Sequence, residues 1–215
     1  VDLNRMRKER QLLPFAKMQG CGNDYIFFDN RKGTITSPGS LCVSLCDRHY
    51  GIGGYGIVLI EDSRVADARM RIFNRDGTEG AMAGNAIRCV GKYLYDKRIV
   101  KKEYMTIETG GIKSLLLYTR NGKANTISVG MGKADLDAMS LPTTLPGSTI
   151  INRPVEIAGG TYHITCASVG NPHCVVFCDD PSALDLETLG PKFERASYFP
   201  ERINTEFVRI VNEDT

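Results

Sequence analysis

The chain has 215 residues, 42% of them hydrophobic and 24% charged, with a formal net charge of +2. That length suits one large domain or two small ones, and the near-balanced charge gives no electrostatic drive toward nucleic acid or an anionic membrane. The longest apolar runs, IVLI at 57–60 and CVVFC at 174–178, fall far short of the about 20 residues that a bilayer-spanning helix needs.

The opening, VDLNRMRKERQLLPF, is basic and lacks the apolar stretch of a secretory signal; residues 1–13 are set aside as an N-terminal extension. FAKMQ (15–19) and YIFFD (25–29) read as strands around the turn GCGND. Ser37-Pro38 opens a helix through SLCVSLCDRH, with proline in the first turn. GIGGYG (51–56) is a loop before the buried-strand run IVLIED, and ARMRIFN (68–74) alternates before the turn RDG. After Gly84-Asn85, AIRCVGKYLYDK sets Ile87, Val90, Tyr93 and Leu94 on one helical stripe.

YMTIETG, IKSLLLYTR and NTISVGM are strand-like, the last two joined by the hairpin signal Asn121-Gly122. Residues 132–149, with Pro142 and Pro146 and little periodicity, read as a crossing between domains. A second hairpin is expected about Gly159-Gly160, then a strand HCVVFCDD, a short helix opened by Asp180-Pro181, and a last strand NTEFVRIVN. The pattern is α+β with mostly antiparallel hairpins and few helices. GNDYIFFD (22–29) and GNPHCVVFCD (170–179) echo one another and point to two similarly built halves.

Seven cysteines without CxxC spacing read as reduced, mostly buried thiols of a cytosolic protein. Cys42, Cys46 and His49 fall at i, i+4 and i+7, one helical face, so they are read as core-facing and no metal is assigned. The chain contains no GxxxxGK[ST], HExxH or GxSxG, and no GxGxxG opening a helix after a strand. Asparagine recurs at turns instead, at Asn23, Asn74, Asn85, Asn171 and Asn204. Each offers an uncharged donor and acceptor, and each also suits a turn for purely conformational reasons. Gly84-Asn85 adds bare N–H groups at a helix start, which attract a carboxylate and acidify a nearby thiol. Position 83 is built for a cysteine and holds Ala83.

KMQGCGNDYIFFD, DRHYGIGGYG, RIFNRDGTEGAMAGNAIRCVGKYLYD, SVGNPHCVVF and FPERINTEF together resemble the diaminopimelate epimerase family. The resemblance implies a cytoplasmic, PLP-independent isomerase of lysine and peptidoglycan-precursor biosynthesis that interconverts LL- and meso-diaminopimelate. It implies two pseudo-symmetric α+β domains, over 14–135 and 136–215, with the active site in the cleft between them and the second domain incomplete in this chain. It implies no cofactor, no nucleic-acid or membrane partner, and a homodimer as the candidate assembly. In that family two cysteines face opposite sides of the substrate α-carbon, one removing the proton and the other delivering one. The positions matching substrate contacts are Asn23, Asn74, Gly84, Asn85, Asn171 and Asn204, and His173 in GNPH matches a residue near the thiol pair.

The chain departs from the family pattern in three places. Ala83 stands where the first catalytic cysteine is expected, in a motif that usually reads MCGN. The sequence ends at NEDT, before the ERGxGET and ACGTG segments that carry a glutamate, an arginine and the second cysteine. Gly56 stands where some members have a substrate-contacting glutamine. Cys89 and Cys174 are poor substitutes for the missing thiol, one well over a helical turn away and the other facing away from His173. Ala83 is thus either a replaced residue in an otherwise active enzyme or a natural loss. The alternatives are another cofactor-independent amino-acid racemase of the same fold, and an amino-acid-binding paralogue without turnover.

Overall fold

The computed structural model describes residues 12–80 and 82–212; the expected N-terminal extension lies, through residue 11, outside the described residues. The chain divides into two compact units, the first ending at Met131 and the second starting at Gly132.

The first unit is one eight-stranded sheet with a helix on each face. Its strands are β1 (Ala16–Gly20), β2 (Asn23–Asp29), β3 (Gly56–Glu61), β4 (Ala68–Asn74), β5 (Glu79–Gly80), β6 (Tyr104–Glu108), β7 (Ile112–Arg120) and β8 (Lys123–Val129). The order is β1-β2-β3-β4-β6-β7-β8, with the short β5 paired to β4. Helix α1 (Pro38–Cys46) covers one face and α2 (Gly84–Asp96) the other.

The continuous apolar run of β3 follows from this sandwiching. Val58 and Ile60 point into the core that holds Ile87, Val90 and Leu94 of α2, while Ile57 and Leu59 join Cys42 and Cys46 of α1. All four are completely buried, each contributing about 1.5–3 kcal/mol over an exposed side chain. Helix α2 packs on both end strands, β1 and β8, so the sheet curls around it.

The second unit is a four-stranded sheet, order β12-β11-β10-β9, built from β9 (Arg153–Ile157), β10 (Gly160–Ser168), β11 (Pro172–Phe177) and β12 (Asn204–Val208). Helix α3 (Leu186–Glu194) buries Phe193 edge-on between Tyr162 and Phe207, ring centroids 4.9 and 5.1 Å away. The echo between the halves is architectural. β2 and β11 each run antiparallel to the strand before and parallel to the strand after.

Four expectations need correction. The helix read through His49 stops at Cys46, because the Asp47 carboxylate accepts the His49 and Tyr50 N–H groups, both at 2.7 Å, and closes a turn. Residues 132–149 fold into the second unit: Asp135 bridges to Ser168, Asp137 to Thr149, and Ala138 and Leu141 enter the core. The second hairpin turns on Ala158-Gly159, both at positive φ (58° and 82°), and Gly160 already belongs to β10. Asp180-Pro181 opens only a single 3-10 turn; Asp185 caps α3 by accepting the Thr188 N–H at 3.2 Å.

Candidate active site

Parallel pairing of β2 with β3, and antiparallel pairing of β3 with β4, bring the start of β2, the start of β3 and the end of β4 to one end of the first sheet. Asn23 opens β2 and Asn74 closes β4, with Gly56 paired to Asn74 across β3. The β1–β2 turn needs left-handed backbone at Cys21 and Gly22 (φ 50° and 86°), and the Gly22 N–H donates to Gln19 Oε1 at 3.0 Å.

Asn74 is held on several sides. Its amide donates to Thr78 Oγ1 at 3.1 Å, and its carbonyl accepts from the Gly77 N–H at 2.8 Å and the Cys42 thiol at 3.0 Å. Asp24, beside Asn23, pairs with Arg48 at 2.7 Å and Lys17 at 3.1 Å. The Arg48 hydrogen bond chiefly lowers the Asp24 pKa to about 2, with Lys17 adding to the effect.

At the same end, extended Ala83 (φ −142°, ψ 111°) is the N-cap of α2 and supplies no side-chain cap. No N-cap side chain satisfies the first N–H groups of the helix, which carry the positive end of its dipole. Asn85 Oδ1 accepts from Arg88 Nη2, which leaves the Asn85 Nδ2 hydrogens to donate elsewhere. The same Nη2 lies 3.2 Å from the exposed Cys21 thiol. Arg88 therefore fixes the Asn85 amide, a link that helical spacing alone does not single out. Gly20 lets the end of β1 press on this turn: a methyl there would sit 2.8 Å from the Asn85 carbonyl oxygen.

The second unit gathers its own set at the start of β11. His173 pairs in register with Asn204 of β12, and Asn171 lies two residues before His173. Asn204 Nδ2 donates to the Pro172 carbonyl at 2.9 Å. His173 Nδ1 meets Glu206 Oε1 at 2.7 Å. Asn204, Thr205 and Glu206 line a cavity of about 550 Å³ with Pro172 and Arg202. Thr205 and Glu206 were not legible as site residues: NTEFV reads as an ordinary strand, and only the long-range pairing of β12 with β11 brings Glu206 to His173.

Neither alternative thiol suits proton transfer. Cys89 sits in the α2 core, where burial raises its pKa. Cys174 is buried directly opposite Cys166, whose hydrogen bond, together with burial, pushes its pKa far up. Cys42 and Cys46 face the core with sulfurs 3.5 Å apart, and burial pushes Cys46 up to about 12. His49 is exposed beyond the helix end, and among the described residues no three His, Cys, Asp or Glu side chains gather as a metal site.

A family profile described as diaminopimelate epimerase matches residues 15–136. The diaminopimelate epimerase of Desulfovibrio desulfuricans is 45% identical over 207 residues, spanning 93% of this chain and 72% of that protein. The chain belongs to the diaminopimelate epimerase family. The Agathobacter rectalis enzyme of the same name is 42% identical over 210 residues, 94% of this chain and 74% of that one. The family is one of isomerases, and the expected fold class holds with it.

Distant solved structures share the fold. A hydroxyproline epimerase from Agrobacterium vitis aligns with TM-score 0.56 at 14% identity, over 84% of this chain and 54% of that one. A probable proline racemase from Agrobacterium radiobacter gives 0.58 at 15% identity, over 86% and 55%. The chain thus spans little more than half the length of these two proteins. Among the described residues no helix is long and apolar enough to cross a membrane.

Proposed function

We propose that this chain is the substrate-holding scaffold of a cofactor-independent diaminopimelate epimerase, acting on the α-carbon that links the LL and meso isomers. The observation that carries the reading is the start of α2. Residue 83 is its N-cap and supplies no side-chain cap to the first turn, and Arg88 engages Asn85 Oδ1, which leaves the donor side of that amide, Nδ2, to face a ligand. In this reading a substrate carboxylate sits on those donors. Asn23 and Asn74, at the same end of the first sheet, offer further uncharged donors and acceptors to its polar groups.

A thiol at residue 83 would sit at the positive end of the helix, where its anion is favoured. Its role in the reaction is to take the α-proton as thiolate, or to return one as thiol, without any change of oxidation state. Ala83 can do neither, and loss of a general acid or base costs about 10²–10⁴ in rate. Ala83 also favours a second reading, a family member that binds the amino acid without turnover. A cytoplasmic setting suits this reading, since the odd set of seven cysteines without CxxC spacing reads as reduced thiols.

Calorimetric titration with LL- and meso-diaminopimelate tests the reading. Binding is expected, weakened about 10-fold or more in Asn85→Ala through loss of a charge-assisted hydrogen bond. Absence of binding by either isomer, or unchanged affinity in the variant, would reject it.

A further inference from the structure

The structure assigns Glu206 as a positioning residue that fixes the tautomer of His173 and presents its Nε2 as a hydrogen-bond acceptor. His173 and Asn204 are register partners on the parallel strands β11 and β12. Glu206 lies two residues beyond Asn204, so strand periodicity returns it to the same face. Its Oε1 reaches His173 Nδ1 at 2.7 Å. An ionised carboxylate can only accept, so the proton of this bond belongs to Nδ1.

In the neutral imidazole that leaves the lone pair on Nε2. This nitrogen is buried and has no hydrogen-bond partner among the described residues, and the same holds for Glu206 Oε2 and Thr205 Oγ1. A buried polar atom without a partner costs about 1–3 kcal/mol. Nε2 and Oε2, both acceptors at one corner of the sheet, fit a group that brings N–H or S–H donors, such as an ammonium or a thiol. A carboxylate would face only lone pairs there. Thr205, on the opposite face of β12, belongs to no such set. The role of Nε2 toward a ligand rests on the function proposed above; the tautomer does not.

Long-range ¹H–¹⁵N NMR of the imidazole nitrogens on the 215-residue chain, at a pH of about 8 where an ordinary histidine is neutral, reads the tautomer directly. His173 signals are identified by their loss in His173→Asn. The expected result is a proton on Nδ1 and none on Nε2. Glu206→Gln, which keeps an accepting oxygen, should retain that pattern. Glu206→Ala should move the proton to Nε2 as the dominant form. A wild-type proton on Nε2, a doubly protonated ring, or a pattern unchanged in Glu206→Ala would each overturn the assignment.

Adding diaminopimelate separates the two levels. With binding verified by calorimetry, the Nε2 resonance should shift in the wild type and Glu206→Gln and stay fixed in Glu206→Ala. A bound ligand that leaves Nε2 unmoved overturns the acceptor role. Failure to bind at all rejects the proposed function, and the tautomer pattern alone then decides the positioning role.

Discussion

Two glycines with similar contact distances should respond oppositely to gaining a methyl group. At Gly20 the added carbon would lie 2.8 Å from the Asn85 carbonyl oxygen and 3.3 Å from its carbonyl carbon. At Gly91 it would lie 2.6 Å from Leu115 Cδ2, with the next neighbour, Ile127 Cδ1, at 3.6 Å. In the first case both partners are backbone, and opening the gap means separating β1 from the start of α2. Overpacking of that kind costs about 1–3 kcal/mol. In the second case the obstacle is the end of a rotatable side chain, and alanine in a helix interior returns about 1 kcal/mol over glycine. Gly20→Ala should therefore lose about 2 kcal/mol, and Gly91→Ala should stay within about 1 kcal/mol of the wild type. At about 2–4 °C per kcal/mol for a chain this long, Gly20→Ala should melt about 4–8 °C lower. The same displacement moves Asn85, so diaminopimelate affinity should also fall, by more than stability alone explains. Differential scanning calorimetry and ligand titration on both variants check this. A wild-type melt for Gly20→Ala, or a larger loss for Gly91→Ala, would refute the close approach on which the site geometry depends.

Two further predictions concern the surroundings of the same turn. Asp24 is held at about 2 chiefly by Arg48, so its folded pKa lies below its unfolded one. The stabilisation is present above the unfolded carboxylate range and lost as pH falls through about 4 to 2. Because the Arg48 and Lys17 side chains are partly exposed to solvent, Asp24→Asn should cost no more than about 1 kcal/mol at neutral pH, with the difference from wild type vanishing in acid; urea melts across pH would show a constant difference if the pairing were unimportant. Cys21 is the exposed thiol, Cys178 is intermediate and the other five cysteines are buried. Iodoacetamide followed by peptide mapping should modify Cys21 first, with the buried five reacting only on unfolding, and early labelling of Cys89 would contradict the α2 packing.

Much of the fold was legible because the local signals agree with the tertiary answer. ARMRIFN alternates and is the strand Ala68–Asn74, and IVLI is apolar throughout because helices cover both faces of β3. The failures have physical causes. The Gly159-Gly160 pair suggested the wrong turn centre because the pairing of Gly160 with Ile157 leaves only two loop residues, which forces Ala158 to positive φ. Gly160 is used instead for close approach, a methyl there falling 3.3 Å from the Tyr162 ring. The 132–149 segment has no period to read because its order comes from isolated bridges and a few buried apolar residues. Within the candidate site, asparagines at turns stood out from composition, while Arg88 and Glu206 did not. Their roles exist only through partners: Arg88 through Asn85 and Cys21, and Glu206 through His173, 33 residues away.

In the function proposed above, the start of α2 is a carboxylate cradle shaped for a thiol at residue 83. α-Proton exchange on diaminopimelate in deuterium oxide, compared between the chain, Ala83→Cys and Ala83→Ser, puts this to the test. A thiolate at 83 can take the α-proton, exchange it with solvent and return deuterium to the same face, without help from a second thiol. Wash-in is expected to be at least about 100-fold faster in Ala83→Cys than in the parent chain, with Ala83→Ser near background because a hydroxyl is far too weak an acid. A cysteine variant that binds diaminopimelate but exchanges no faster, or a parent chain that already exchanges as fast, would contradict it.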